Sequence, residues 1–276
     1  MCNLFLALRP PPSCPFSLVC LSLRDEVLDR PTDPAQWRDG VLSGMDLQDP
    51  AHGTWFGVNA QGKIGVLLSV TQQDKRSNAI SRGGIVHEYL RSNLSPLEFC
   101  SKLVSKAEKY NGFTFLTVQR EGGKVSVATL TNCMVDAVRA VEWNDEDILV
   151  FGNCPPPVHY KKMERGKRLF KDIIDRLDAT TTVSDLVESL FRLGMDEEEC
   201  LPDETLARQV PESHIRGLSR IFVRCHLGPT RYGTRCLTVL VLLKDGTARY
   251  VEKSLVRVGP PDEWSIQEYA FDVNEK

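Results

Sequence analysis

Short apolar runs at both ends of the chain, with helical spacing between them, predict a strand–helix–strand order. Residues 3–8 and 16–23 are apolar runs of strand length on either side of Pro10, Pro11 and Pro12, and read as a hairpin. Two more strands, 55–59 and 63–70, flank Ala60-Gln61-Gly62, whose glycine can supply a positive φ. Ser95-Pro96-Leu97-Glu98 is a capping box with proline at the first helical position. Leu97, Cys100, Leu103, Val104 and Ala107 then share one face, and Asn111-Gly112 stops the helix. Strands follow at 113–119 and 124–130, with shorter ones at 137–143 and 148–152. Helices are predicted at 161–177 and at 183–193, the second with Thr182 as N-cap. A polar loop runs from Asp196 to Gly217. Strands resume at 219–225, 236–243, 248–255 and 265–272, with a tight turn at Asp245-Gly246.

Composition narrows this picture. The 276 residues are 42% hydrophobic and 26% charged, enough to bury a core. No repeat, low-complexity tract or linker interrupts them, so residues 1–276 read as a single domain. The formal net charge is -3, which argues against a nucleic-acid partner and against a polybasic membrane patch. No run approaches the ~18 apolar residues of a spanning helix. The apolar start lacks a preceding basic residue and runs into Arg9 and the three prolines, unlike a signal peptide. The nine cysteines include no CxxC pair, which disfavours structural zinc and suits a reducing, cytoplasmic setting.

Candidate chemistry begins at Cys2. Removal of Met1 would leave its α-amino group, with an ordinary pKa of ~7.7–8.0, beside its own thiol. That is the arrangement of N-terminal nucleophile hydrolases. By position alone, the commoner use of such a residue is as a small buried strand residue. Arg24-Asp25-Glu26 leaves the end of an apolar strand, where charges must be solvated, paired or functional.

Leu23-Arg24-Asp25-Glu26, then Arg30-Pro31, resembles the motif that names the NRDE family, also called the transport and Golgi organisation protein 2 family. The resemblance continues in order through Ser43-Gly44-Met45-Asp46, Gly53-Thr54-Trp55-Phe56-Gly57, Ser81-Arg82-Gly83, Tyr110-Asn111-Gly112-Phe113, Phe151-Gly152-Asn153 and Tyr232-Gly233-Thr234-Arg235. It implies an α+β fold of the N-terminal-nucleophile-hydrolase type, an αββα sandwich of two antiparallel sheets flanked by helices. It implies Cys2 as nucleophile, Arg24 and Asp25 steadying its thiolate and amine, Asn153 at the oxyanion, and Arg235 as a second arginine. Two departures count against turnover: Leu23 replaces the asparagine of the motif, and Ser69 stands where a second amide is expected. Losing one oxyanion donor costs ~2.7–4 kcal/mol of transition-state stabilisation. The expectation is therefore a hydrolase-like pocket reused for binding.

For a ligand, the resemblance implies haem as cargo, mobilised from haem-rich compartments such as mitochondria. Links to lipid homeostasis, acyl-coenzyme A and Golgi organisation come with it, as does transient contact with organelle membranes. Cys14-Pro15 and Cys154-Pro155 are Cys-Pro dipeptides of the kind found in some regulatory haem sites, although so short a motif arises readily by chance. His159 lies five residues after Cys154 and beside Lys161 and Lys162, and Trp55 could line an apolar pocket. A lone histidine is more often a surface or core residue, and a tryptophan more often core. No metal is expected beyond haem iron. The alternatives are a Cys2 amidohydrolase and a binder of acyl-coenzyme A or lipid acting in secretory trafficking.

Overall fold

The computed structural model describes residues 2–72 and 75–274. In chain order the elements begin with β1 (Asn3–Ala7), β2 (Phe16–Val27), β3 (Thr32–Arg38), β4 (Val41–Asp46), β5 (Phe56–Asn59) and β6 (Lys63–Ser69). Helices α1 (Gly84–Arg91) and α2 (Pro96–Val104) precede β7 (Phe113–Glu121), β8 (Lys124–Thr131), β9 (Ala140–Glu142) and β10 (Ile148–Phe151). Then come α3 (Lys161–Asp175), α4 (Val183–Gly194), α5 (Glu204–Ala207) and α6 (Glu212–Leu218). The chain closes with β11 (Arg224–Leu227), β12 (Thr230–Leu243), β13 (Thr247–Arg257) and β14 (Glu263–Asp272).

These elements form two compact units, each built on one antiparallel sheet. The first holds the chain up to Asp29, Glu146–Cys154 and Val158–Asp272. Its strand order is β10-β1-β2-β12-β13-β14, with β11 also paired to β12. Helices α3 and α4 cover one face. Phe170, Ile174, Leu186, Leu190 and Leu193 pack there on Phe5, Leu21, Leu23, Leu237 and Val239. Phe5 and Phe170 stack at 5.8 Å. Each such buried side chain contributes ~1.5–3 kcal/mol. Side chains alternate across a strand, so Leu4, Ser22, Arg24, Cys236 and Thr238 lie on the face away from these helices.

The second unit is Arg30–Asp145 with short pieces at 155–157 and after Asp272. Its strands run β3-β4-β5-β6-β7-β8-β9. Tyr89 of α1 and Phe99 of α2 pack against Phe115, and Tyr89 donates from its hydroxyl to the Val118 carbonyl at 3.0 Å. The capping box at Ser95 and Glu98 forms as expected. The buried face of α2, however, is Pro96, Phe99, Cys100 and Leu103, whereas Leu97 is exposed.

Several elements differ from the sequence reading. Strand β3 carries Pro34 and buries only Ala35, so it shows no alternation, and its pairing slips between Asp33 and Gln36. Helix α1 has no side-chain cap to announce it. The expected loop after Asp196 contains α5 and α6. Asp203 caps α5 by accepting from the Leu206 amide at 2.9 Å. The strand expected at 219–225 starts only at Arg224, because Ile221, Phe222 and Val223 are buried in the connection before it.

Candidate functional site

In the first unit, the strand registers bring four sequence-distant residues into one row. Asn3 pairs with Leu23, so one step further places Cys2 beside Arg24. Leu4 pairs with Phe151, so two steps further place Asn153 on the other flank of Cys2. Arg24 pairs in turn with Cys236 of β12. Parity puts Arg24 and Cys236 on the face away from α3 and α4, while Cys2 and Asn153 continue from the ends of β1 and β10. Arg24 and Asn153 are about 95% buried.

A bulge completes the row. The β2–β12 register shifts between Thr234 and Cys236, so Arg235 is the inserted residue. Bulges re-aim side chains, and here the insertion sets Arg235 close enough to Arg24 for mutual repulsion. Burial, then the Arg24 charge, pull Arg235 below the usual arginine range, while Glu26 opposes them. The bulge is buttressed from outside by Arg224, which donates to the Thr234 carbonyl at 2.6 Å and pairs with Asp262 at 2.9 Å. Its guanidinium lies 4.7 Å from the Phe222 ring centroid.

Asp25 stands on the opposite face of β2 from Arg24. Its Oδ1 accepts from the Thr234 hydroxyl at 2.7 Å, and its carbonyl oxygen accepts from the Tyr232 hydroxyl at 3.0 Å. The same carbonyl accepts a 3.8 Å contact from the Cys2 thiol. Burial raises Cys2 above its ordinary value; the Asp25 charge adds to this and Arg24 opposes it. At rest the group is a thiol that needs a base. Asn153 is steadied by the Tyr160 hydroxyl, which donates to its carbonyl at 3.3 Å and also bonds Gln209.

The structure thus brings Cys2, Arg24, Asp25, Asn153 and Arg235 together. It also adds Thr234 and Tyr232, which lie in a segment whose arginine alone drew attention in the sequence. Leu23 changes meaning. It is 1% exposed and packs in the helix-side core, so the residue at this position serves packing under α3 and α4. Ser69, at the end of β6, belongs to the second unit.

The other candidates lie apart from the row. Cys14 is buried and its thiol donates to the Pro11 carbonyl at 3.1 Å. Cys154 is buried and donates to the Val158 carbonyl at 3.0 Å; burial pushes its thiol up to about 12. Both thiols are buried and donate to backbone carbonyls, a poor arrangement for a thiolate ligand. His159 is half-buried; burial and then Lys167 lower its pKa, which favours neutral imidazole. Trp55 is in the second unit, its ring edge filling the space beside Gly44. Among the described residues no three or more His, Cys, Asp or Glu side chains cluster to hold a metal ion. Among the described residues, no helix is long and apolar enough to cross a membrane.

A family model described as Transport and Golgi organisation 2 matches residues 1–257. The mouse Transport and Golgi organization 2 homolog is 26% identical over 286 residues, covering 98% of this chain and 99% of its own. The Drosophila melanogaster Transport and Golgi organization protein 2 is 27% identical over 261 residues, covering 91% and 90%. Among solved structures, the R18L variant of conjugated bile acid hydrolase from Clostridium perfringens matches with a TM-score of 0.50 at 10% identity. It covers 99% of this chain and 98% of its own. That likeness is one of fold: α+β, built on two antiparallel sheets with helices, of the N-terminal-nucleophile-hydrolase type.

Proposed function

The chain belongs to the Transport and Golgi organisation 2 family, and from that premise we propose that its Cys2 row is an acyl-transfer site that cleaves amide or thioester bonds. The observation that carries this reading is that the paired strands β10, β1 and β2 bring Asn153, Cys2 and Arg24 to one end of the sheet. With Met1 removed, the Cys2 α-amine takes the thiol proton and the thiolate attacks the acyl carbon. Asn153 donates to the developing oxyanion, and Arg24 stabilises the negative charge as it forms. The amine then returns the proton to the leaving nitrogen or sulfur, and water releases the acyl group from Cys2. Leu23 is packed into the helix-side core, and none of these steps calls on it.

The test is intact-mass spectrometry of the purified protein, alone and after exposure to N-acyl amides and acyl-coenzyme A thioesters. The expected result is a chain lacking Met1 that gains one acyl group at Cys2, with adduct and turnover both lost in Cys2→Ala. A chain that retains Met1, or wild-type protein that neither acylates nor turns over any substrate, overturns the reading.

A second reading, haem binding and mobilisation, is favoured by His159. A half-buried neutral imidazole is the ligating form, and the Lys167 charge beside it suits a propionate. A saturable Soret shift at micromolar haem, abolished in His159→Ala, is the expected result. The absence of a saturable shift would remove this reading and leave the Cys2 site intact.

A further inference from the structure

The helix-side face behind Cys2 carries a second polar cluster that the row of catalytic candidates does not use. Its centre is Lys162, the second residue of α3, which is 1% exposed. Two glycines let α3 approach this closely. A Cβ on Gly166 would meet the Phe5 ring at 2.4 Å, and one on Gly152 would meet Met163 Sδ at 2.6 Å. Going one turn back along α3 from Gly166 reaches Lys162. Going two residues back along β1 from Phe5 reaches Asn3, which shares the parity of Phe5. The helix therefore delivers a buried ammonium to the start of β1, directly behind Cys2. Just after β10, a Cβ added at Gly152 would lie 3.5 Å from the Cys2 carbonyl oxygen, so this glycine runs close beside Cys2.

A buried ammonium is costly unless anions face it. The groups facing Lys162 are Asp25 of β2, Cys2, and Cys200 and Asp203 from the segment between α4 and α5. Asp203 is engaged elsewhere, with Oδ1 on the Leu206 amide and Oδ2 on the Lys161 amide at 2.7 Å. Arg165, one turn along α3, is held outward by Asp196 and Glu198. Asp25, 4% exposed and on the helix-facing side of β2, is the buried carboxylate that acts on Lys162. The groups acting on Cys2 itself include the chain's amino group, Asp25 and Arg24 from β2, Tyr232 from β12 and Lys162 from α3.

We infer that Lys162 is a positioning residue of the Cys2 site, its buried ammonium offsetting the Asp25 carboxylate so that the thiolate of Cys2 can form beside it. This rests on the reading of Cys2 as a nucleophile. Asp25 is the carboxylate that acts on Cys2, and a carboxylate disfavours a thiolate. The opposing influences on Lys162 agree: burial lowers its pKa, while Asp25 and then Cys2 raise it. In the sequence this residue belongs to a basic run that reads as a solvated helix face. The structure separates Lys162 from that run because only its position faces β1.

The test measures Cys2 alkylation by iodoacetamide in the full-length protein across pH 6–10, quantified at the Cys2 peptide by mass spectrometry. Lys162→Met preserves the unbranched stem without the charge, and Lys162→Gln is a second neutral variant should the first not fold. Either is expected to alkylate about tenfold more slowly than wild type near pH 7.5, with a midpoint about one pH unit higher. Lys162→Arg keeps the charge and should restore most of the rate. Neutral variants that fold, by circular dichroism, and alkylate with the wild-type midpoint overturn the inference. Alkylation needs no turnover, so a wild-type protein that never forms an acyl adduct would sink the hydrolase reading without touching this result.

Discussion

The Thr234 hydroxyl donates a 2.7 Å hydrogen bond to Asp25 Oδ1 and accepts one of 2.9 Å from the Val223 amide. One fully buried hydroxyl therefore ties the carboxylate behind Cys2 to both β12 and the connection leading into β11. Thr234 is also where the β12 register shifts, so the contact fixes where the bulge falls.

Thr234→Val keeps the shape and removes the hydroxyl. It strips a buried carboxylate oxygen and a buried amide of a partner, so a loss of about 1–3 kcal/mol of stability is expected. Urea denaturation measures it, and Thr234→Ser should recover most of the loss. Equal midpoints for Thr234→Val and wild type would show that this hydrogen bond does not anchor the site.

Asn3 is fully buried on β1, and neither side-chain polar atom has a hydrogen-bond partner among the described residues. An apolar side chain of similar size should fit this strand better. Asn3→Leu is expected to raise stability by about 1 kcal/mol, since it relieves an unsatisfied buried amide. A clear fall in the urea midpoint would instead mean that the amide is bonded in solution.

His159 provides a pH signature. Burial lowers its folded-state pKa below the ordinary 6.5, so the fold prefers neutral imidazole. Its contribution is complete above pH ~6.5 and fades as pH falls towards the folded value, because the unfolded chain takes up the proton first. His159→Gln, which cannot titrate, should lose less stability than wild type between pH 6.5 and 5, by denaturation at each pH. Parallel pH profiles for the two proteins would refute this.

Local patterning settled most of the framework. The capping box at Ser95, the Asp245-Gly246 turn, the first hairpin and the two long amphipathic helices follow from residues close in the chain. The order of short segments pointed to the family, and with it to Cys2, Arg24, Asp25, Asn153 and Arg235. Local signals failed where an element lacked them: β3 carries a proline and buries a single residue, α1 has no capping side chain, and α5 and α6 are too short to show a period.

What only the tertiary structure decided is which face of each strand bears the chemistry. Alternation says that Leu23 and Arg24 point oppositely, but not which side meets the helices. That choice depends on where α3 and α4 pack, and it turns Leu23 from a missing catalytic amide into a core residue. The partner of Asp25 was equally hidden. Thr234 lies 209 residues away, and Lys162 is set apart from its basic neighbours by burial, where Gly166 lets α3 lie close against Phe5 of β1. A sequence shows which groups are available; non-local packing determines which of them lose water and face each other.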